Sequence, residues 1–318
     1  MAQVQNEKTL GEKLLSIPRG VLFFILVLAT AIPLRCKVTI PNNPAENSAN
    51  LYRILMSIPE GSTVLVQSDW TNSTRGESRG QFDALLRILM RRNIKFAVLS
   101  VGDPQAPQVA KDVVDAINRE RAEKGERQYR RWEDWLSLGL FPNAEGTGNG
   151  IALNMSNTFA TKEESDASGM KRKVMLSPVF QGVESVADIA AYIIVTGTKS
   201  SQIAIERLNN KVTMLALVTG VMGPETLTYY ASGQLKGMSA GLKGVYDLET
   251  MMESGLNVTG SPNQVPAVPG EYPGFPGQTN LAKGTQYILT LHSAIFLLIA
   301  AVVIGNIGVI LSRKKGQS

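Results

Sequence analysis

The chain has 318 residues but only one cysteine, Cys36, and one histidine, His292. A lone cysteine excludes an intrachain disulfide and any cysteine-ligated zinc, and leaves the redox compartment open. With no histidine in the central part, Ser-His-Asp and Cys-His nucleophiles and histidine-held metals are excluded there, so no metal site is expected. Excess charge is scarce as well: the formal net charge is +5, and Lys and Arg are interleaved with Asp and Glu, as in Arg119-Glu120-Arg121-Ala122-Glu123-Lys124. Such a run reads as a solvated helix face and argues against a nucleic-acid partner.

Phosphate-binding glycines are missing where an α/β fold would need them. The first predicted strand is followed by Asp69-Trp70-Thr71-Asn72-Ser73-Thr74-Arg75, with neither a dinucleotide glycine pattern nor a Walker lysine. Gly146-Thr147-Gly148-Asn149-Gly150 follows the third predicted strand and reads as a loop. No cofactor is expected.

What is present in quantity is apolar sequence, 44% of the chain against 19% charged, enough for a full core. Residues 286–311 hold no ionisable side chain except His292. At 1.5 Å per residue they reach about 39 Å, beyond the roughly 30 Å hydrocarbon core, and predict a transmembrane helix. Arg313, Lys314 and Lys315 follow it and only Lys283 precedes it, so the positive-inside rule makes 312–318 a cytoplasmic tail. The bulk of the chain is then expected on the extracytoplasmic side of the cytoplasmic membrane. Gly305 and Gly308 would let another helix approach, and His292 has no ionisable partner within the span.

An earlier apolar run, residues 20–35, follows a segment 1–19 expected in the cytoplasm. Its 15 uncharged positions cover about 22 Å as a helix, short for a span, and Pro33 lies at its end. Arg19 and Arg35 would snorkel and make it a retained N-terminal transmembrane anchor. Alternatively it is a signal segment with Ala29-Thr30-Ala31 as its cleavage site.

Between the hydrophobic segments, residues 46–254 alternate strand-like and helix-like stretches. Strands are expected at 62–68, 94–101, 135–140, 190–196 and 212–218, and helices at 82–92, 105–124, 147–160 and 199–209. A polar stretch at 161–173 reads as a mobile loop, and Pro224 opens a long last helix reaching about Ser254. Residues 255–284, rich in proline and glycine, read as an extended tether. The fold class is α/β: a doubly wound, mostly parallel, five-stranded Rossmann-like sheet of order 3-2-1-4-5, with N-terminal and C-terminal transmembrane helices.

Ligands in such sheets bind beyond the carboxyl ends of the strands. That rule selects Ser68, Asp69, Thr71 and Asn72 after the first strand, Asp103 after the second, Thr196 and Thr198 after the fourth, and Thr219 after the fifth. Tyr229 and Tyr230 would line the same cleft. The competing reading is that these Asp and Thr residues cap the following helices. On the last helix Gly233, Gly237, Gly241 and Gly244 would share one face, either for packing on the sheet or for docking a partner.

Three stretches carry a family resemblance: residues 85–93 (LLRILMRRN), 132–139 (WEDWLSLG) and 229–237 (YYASGQLKG). They resemble motifs of an uncharacterised group of bacterial membrane-anchored proteins with a Rossmann-like α/β domain between terminal hydrophobic segments. The resemblance covers about residues 55–254, implies that architecture and carries no activity. The function expected is a non-catalytic interaction or scaffold module held in the lipid bilayer and assembling with itself or with other membrane proteins. The alternatives are a domain binding an unknown small ligand or acting as a sensor at the strand ends and, last, a carboxylate-dependent hydrolase.

Overall fold

The structure is a computed structural model, and it describes residues 10–35, 41–256, 264–268 and 283–315. The chain divides into two units, a larger one of residues 42–284 and a smaller one of residues 1–41 and 285–318.

The larger unit is an α/β domain. Its strands β1 (Thr63–Asp69), β2 (Lys95–Ser100), β3 (Trp135–Leu140), β6 (Ala191–Thr196), β7 (Met214–Val218) and β8 (Gly237–Ala240) form one six-stranded sheet of order β3-β2-β1-β6-β7-β8. Every pairing in it is parallel. Parallel sheets are covered on both faces, which is why these strands read as continuous apolar runs instead of alternating ones. One face carries Val64, Val66, Phe96, Val98, Ile193, Val195, Leu215 and Leu217, all within a single buried cluster. It is covered by α3 (Glu46–Ser57), α4 (Arg75–Arg91), α5 (Ala106–Glu123) and α9 (Gly241–Ser254). The other face, with Leu65, Ala97, Leu99, Tyr192, Ile194, Ala216 and Val218, is covered by α6 (Ala144–Phe159), α7 (Ser200–Leu208) and α8 (Gly223–Ala231). Between β2 and β3 the register shifts at Val98/Leu99, and Gly139 takes φ +73° there, a backbone that favours glycine at a bulge.

Five of the six strands match the sequence reading; the sixth does not. The stretch read as one long helix from Pro224 is α8, a turn, β8 and α9. Gly233 adopts φ +78° two residues past α8 and ends that helix. The four glycines therefore share no helix face. Gly237 lies in β8, where an added Cβ would fall 2.5 Å from the Cα of Leu51 on α3. Gly244 is hemmed in by Ser239 and Gly241 by Gly220. The close approach expected of the glycines exists, but it is internal to the domain.

Three further readings change. Residues 161–173 contain an antiparallel hairpin, β4 (Glu163–Ser165) with β5 (Lys171–Lys173), in place of a loop. The Pro/Gly stretch is not a bare tether over the part described: Leu256 and Val265 exchange two backbone hydrogen bonds, Val268 is buried in the core, and the Tyr52 hydroxyl donates to the Pro266 carbonyl at 2.8 Å. The run at 119–124 is not simply a solvated face. Arg87, 1% exposed on α4, holds Glu120 of α5 at 2.7 Å and Asp83 at 2.7 Å, and Arg91 holds Glu126 at 2.8 Å. An ion-paired seam thus closes the C-terminal halves of α4 and α5 together. Burial pushes the Glu120 carboxyl above its ordinary value in spite of the Arg87 guanidinium beside it.

In the smaller unit, α10 (Lys283–Lys315) contains the one described helix long and apolar enough to cross a membrane, over Tyr287–Ser312. Residues 20–34 lie in α2 (Arg19–Arg35), which spans 17 residues with Pro33 inside it. Leu28, Ala29, Ile32 and Pro33 of α2 share a hollow with His292, Ser293, Phe296 and Leu297 of α10. The short helix α1 (Leu10–Leu15) crosses the other end of α10, where Gly11 is buried against the backbone of Gly308 and Ser312. Gly308 thus admits a neighbouring helix, as small residues do, while nothing lies within 4 Å of a Cβ built at Gly305. Since α2 contacts the start of α10 and α1 contacts its end, α2 runs antiparallel to α10.

Candidate functional site

The strand order reverses between β1 and β6, and the carboxyl ends of these strands are the place where a Rossmann-like sheet takes a ligand. Asp69 ends β1 there, only 3% exposed. Its Oδ1 accepts from the Ser100 hydroxyl at 2.8 Å, the Val101 N–H at 2.8 Å and the Gly102 N–H at 3.1 Å. Its Oδ2 accepts from Gln67 Nε2 and from the Ser200 hydroxyl at 2.9 Å. A buried carboxylate must be hydrogen-bonded to offset its desolvation, and five donors do this. Behind it, Tyr192 donates to Gln67 Oε1 at 2.7 Å. Burial, with the Asp69 charge adding to it, pushes the Tyr192 phenol far above its ordinary value, so it remains a neutral donor.

Thr196 and Thr198 join the same cluster. The Thr196 hydroxyl lies 3.2 Å from Ser200 Oγ and 3.1 Å from Thr198 Oγ1, and accepts from the Thr198 N–H at 3.0 Å. The N–H of Thr219 donates to the Thr196 carbonyl at 3.3 Å. Asp103 sits at the rim: its N–H lies 3.5 Å from Ser100 Oγ and its Oδ1 accepts from the Gln105 N–H at 2.7 Å, a capping contact just before α5. Thr71 Oγ1 lies 2.8 Å from Ser73 Oγ on the surface, and Asn72 is exposed. Ser68 points to the opposite face and is buried, with no hydrogen-bond partner for its hydroxyl among the described residues. Tyr230 accepts from Asn50 Nδ2 at 2.6 Å through its hydroxyl. Burial raises the Tyr229 phenol, with Glu206 and Glu225 adding to the rise.

Two residues with no local marker in the sequence close the crevice. Glu77 Oε2 accepts from the Gly220 N–H at 2.6 Å, and Gln81 Nε2 donates to the carbonyls of Val218 at 2.8 Å and Gly241 at 3.3 Å. Thr74 and Thr219 fill the space over Gly197, where an added Cβ would lie 2.6 Å from Thr74 Cγ2. The loops after β1, β6, β7 and β8 are therefore stitched by the chain's own side chains. Asp69 functions there as an organiser of loops, its lone pairs already engaged. Among the described residues no three His, Cys, Asp or Glu side chains come together to hold a metal.

An open cavity lies beside this crevice, between the N-terminal part of α4 and the middle of α5. It has a volume of about 410 Å³ and is lined by Trp70, Asn72, Arg75, Arg79, Asp112, Asp115 and Arg119, with the apolar Val109, Val113 and Ala116. Trp70 is 1% exposed, and its Nε1–H has no acceptor among the described residues. A buried donor left unpaired costs about 1–3 kcal/mol. In the sequence nothing local distinguishes Trp70 from a core aromatic. No family model and no curated protein matches the chain.

Proposed function

We propose that the protein is a membrane-anchored, non-catalytic recognition module whose α/β domain stands on the extracytoplasmic side and assembles with itself or with other membrane proteins. The observation that carries the non-catalytic part is the closed switch point. The groups that would act as base or nucleophile at the strand ends are held by one another and by backbone, with Asp69 accepting five hydrogen bonds. Membrane anchoring is supported by α10 and, in addition, by α2, whose Phe23 and Phe24 are 65% and 63% exposed. Apolar side chains displayed along a whole helix call for a lipid or protein environment. The sidedness rests on Arg313, Lys314 and Lys315 after the span. This reading agrees with the resemblance to membrane-anchored bacterial proteins. A ligand seated on Asp69 itself is disfavoured, because it would have to displace bonds already made.

The test is thiol accessibility in a Cys36→Ser background. An impermeant maleimide added to intact cells is expected to label Ala167→Cys on the exposed hairpin, and to label Ser318→Cys only after permeabilisation. The opposite pattern overturns the sidedness. Crosslinking in native membranes that recovers monomer alone, with no partner band, overturns the assembly.

A further inference from the structure

The cavity between α4 and α5 differs from the rest of that helix pair in one respect. Toward their C-terminal ends, every arginine facing the seam is matched: Arg87 with Asp83 and Glu120, Arg91 and Arg121 with Glu126. Arg75 and Arg79 from the first turns of α4 and Arg119, the neighbour of Glu120 on α5, line the cavity instead, and none has an ion pair with a carboxylate among the described residues. Arg75 and Arg79 are one helical turn apart on α4, so their guanidinium groups present donors on the same side. The carboxylates that also line the cavity are engaged along their own helix, Asp112 with Gln108 at 2.8 Å and Asp115 with Lys111 at 3.5 Å. Trp70 also lines the cavity, its ring in T-shaped contact with Phe82 at 5.7 Å between centroids, and its buried Nε1–H has no hydrogen-bond partner among the described residues.

A planar fork of N–H donors matches the paired oxygens of a carboxylate or phosphate, and an indole N–H supplies a further neutral donor. We infer that the α4–α5 cavity is a binding site for a small soluble oxyanion, a phosphate or carboxylate compound, held by Arg75, Arg79, Arg119 and the Trp70 indole. The volume is that of a small-molecule site. Asp112 and Asp115 on the same wall select among such anions, favouring those that also carry hydroxyl or amine donors and resisting densely charged ones. The site lies at the carboxyl end of β1 but outside the stitched crevice, and its chemistry holds on either side of a bilayer.

The full chain, labelled with ¹⁵N-tryptophan in phosphatidylcholine nanodiscs, gives three indole N–H resonances, one each from Trp70, Trp132 and Trp135. Trp70→Phe assigns the first. Inorganic phosphate and succinate, titrated at ionic strength held constant with chloride, are expected to move the Trp70 resonance saturably and to leave the other two in place. Arg79→Gln should weaken the fitted affinity at least ten-fold, and Arg79→Lys should recover only part of it, because the charge returns without the fork. Asp112→Asn should leave phosphate affinity equal or higher, with the resonances of Trp132 and Trp135 reporting that each variant is folded. No saturable shift with either anion overturns the inference, as does an equal response of all three indoles. A shift seen only when phosphatidylglycerol is added to the discs overturns the soluble ligand and assigns the arginines to lipid.

Discussion

The Ser200 hydroxyl donates to Asp69 Oδ2 at 2.9 Å across 131 positions of sequence. It ties the first turn of α7 to the end of β1, on the two sides of the point where the strand order reverses. The same carboxylate draws in the backbone of Val101 and Gly102 after β2. One side chain thus sets the mutual position of three loops.

Replacing Asp69 by alanine is therefore expected to act on stability. It strands buried donors of Ser100, Val101, Gly102, Ser200 and Gln67 at once, and several such losses together cost at least about 3 kcal/mol. For a domain of this size that corresponds to a fall of roughly 6–12 °C in Tm. Asp69→Asn keeps one acceptor and should fall between the two. Thermal unfolding of the purified chain checks this, and an Asp69→Ala protein with unchanged Tm would return Asp69 to the status of a ligand group.

Gly237 and Gly233 offer a sharper contrast, because sequence spacing alone treats them alike. A Cβ on Gly237 meets the Leu51 Cα and N at 2.5 Å, where backbone on both sides must give way. Gly237→Ala is expected to cost about 1–3 kcal/mol as overpacking between β8 and α3. Around Gly233 nothing lies within 4 Å, and only its φ of +78° resists a side chain. Gly233→Ala should cost about 1 kcal/mol, the strain of a left-handed residue. A Tm loss for Gly237→Ala smaller than that for Gly233→Ala would contradict the close packing of β8 on α3.

This pair also shows where the sequence was legible. Strands β1, β2, β3, β6 and β7 are buried on both faces, so their apolar runs stand out with no knowledge of neighbours. Strand β8 has four residues, two of them Gly and Ser, and is held by its contacts with β7 and α3 instead of by its own propensity. A local marker is present: Gly233 after Ser232 takes the left-handed conformation that ends a helix. Asp69 was visible as the polar end of an apolar strand. Glu77, Gln81 and Ser200 were not, since their partners lie 131 to 160 positions away and helix positions carry no local sign of such reach.

Acid should weaken the α4–α5 seam through Glu126. Burial alone would raise this carboxyl, but hydrogen bonding by Arg91 and the charges of Arg91, Arg121 and Lys124 together hold it below its ordinary value of 4.5. A group with a depressed folded pKa contributes stability above its unfolded value, and that contribution disappears as the pH falls through the folded one. The loss is expected below about pH 4.5. Glu126→Gln should lower stability at neutral pH and flatten the acid limb of a stability profile measured by urea unfolding. An acid limb unchanged by the substitution would show that the Arg91–Glu126 pair contributes nothing in solution.

The two apolar helices make separable predictions about anchoring. With α10 cut away by ending the chain at Tyr287, α2 remains, and its 17 residues reach about 25 Å, a little under the hydrocarbon thickness. Arg19 and Arg35 at its two ends can make up the shortfall by reaching to the interfaces. The shortened protein is therefore expected to stay in the membrane pellet after carbonate washing. Adding Phe24→Asp places a carboxylate in mid-helix, where insertion becomes less favourable by roughly 2.5–3.5 kcal/mol, and should shift the shortened protein to the supernatant. The same Phe24→Asp change in the full chain should leave it in the pellet, held by the 26-residue, largely apolar stretch Tyr287–Ser312 of α10. If cutting α10 alone releases the protein, α2 is not an independent anchor, and membrane attachment rests on the C-terminal span.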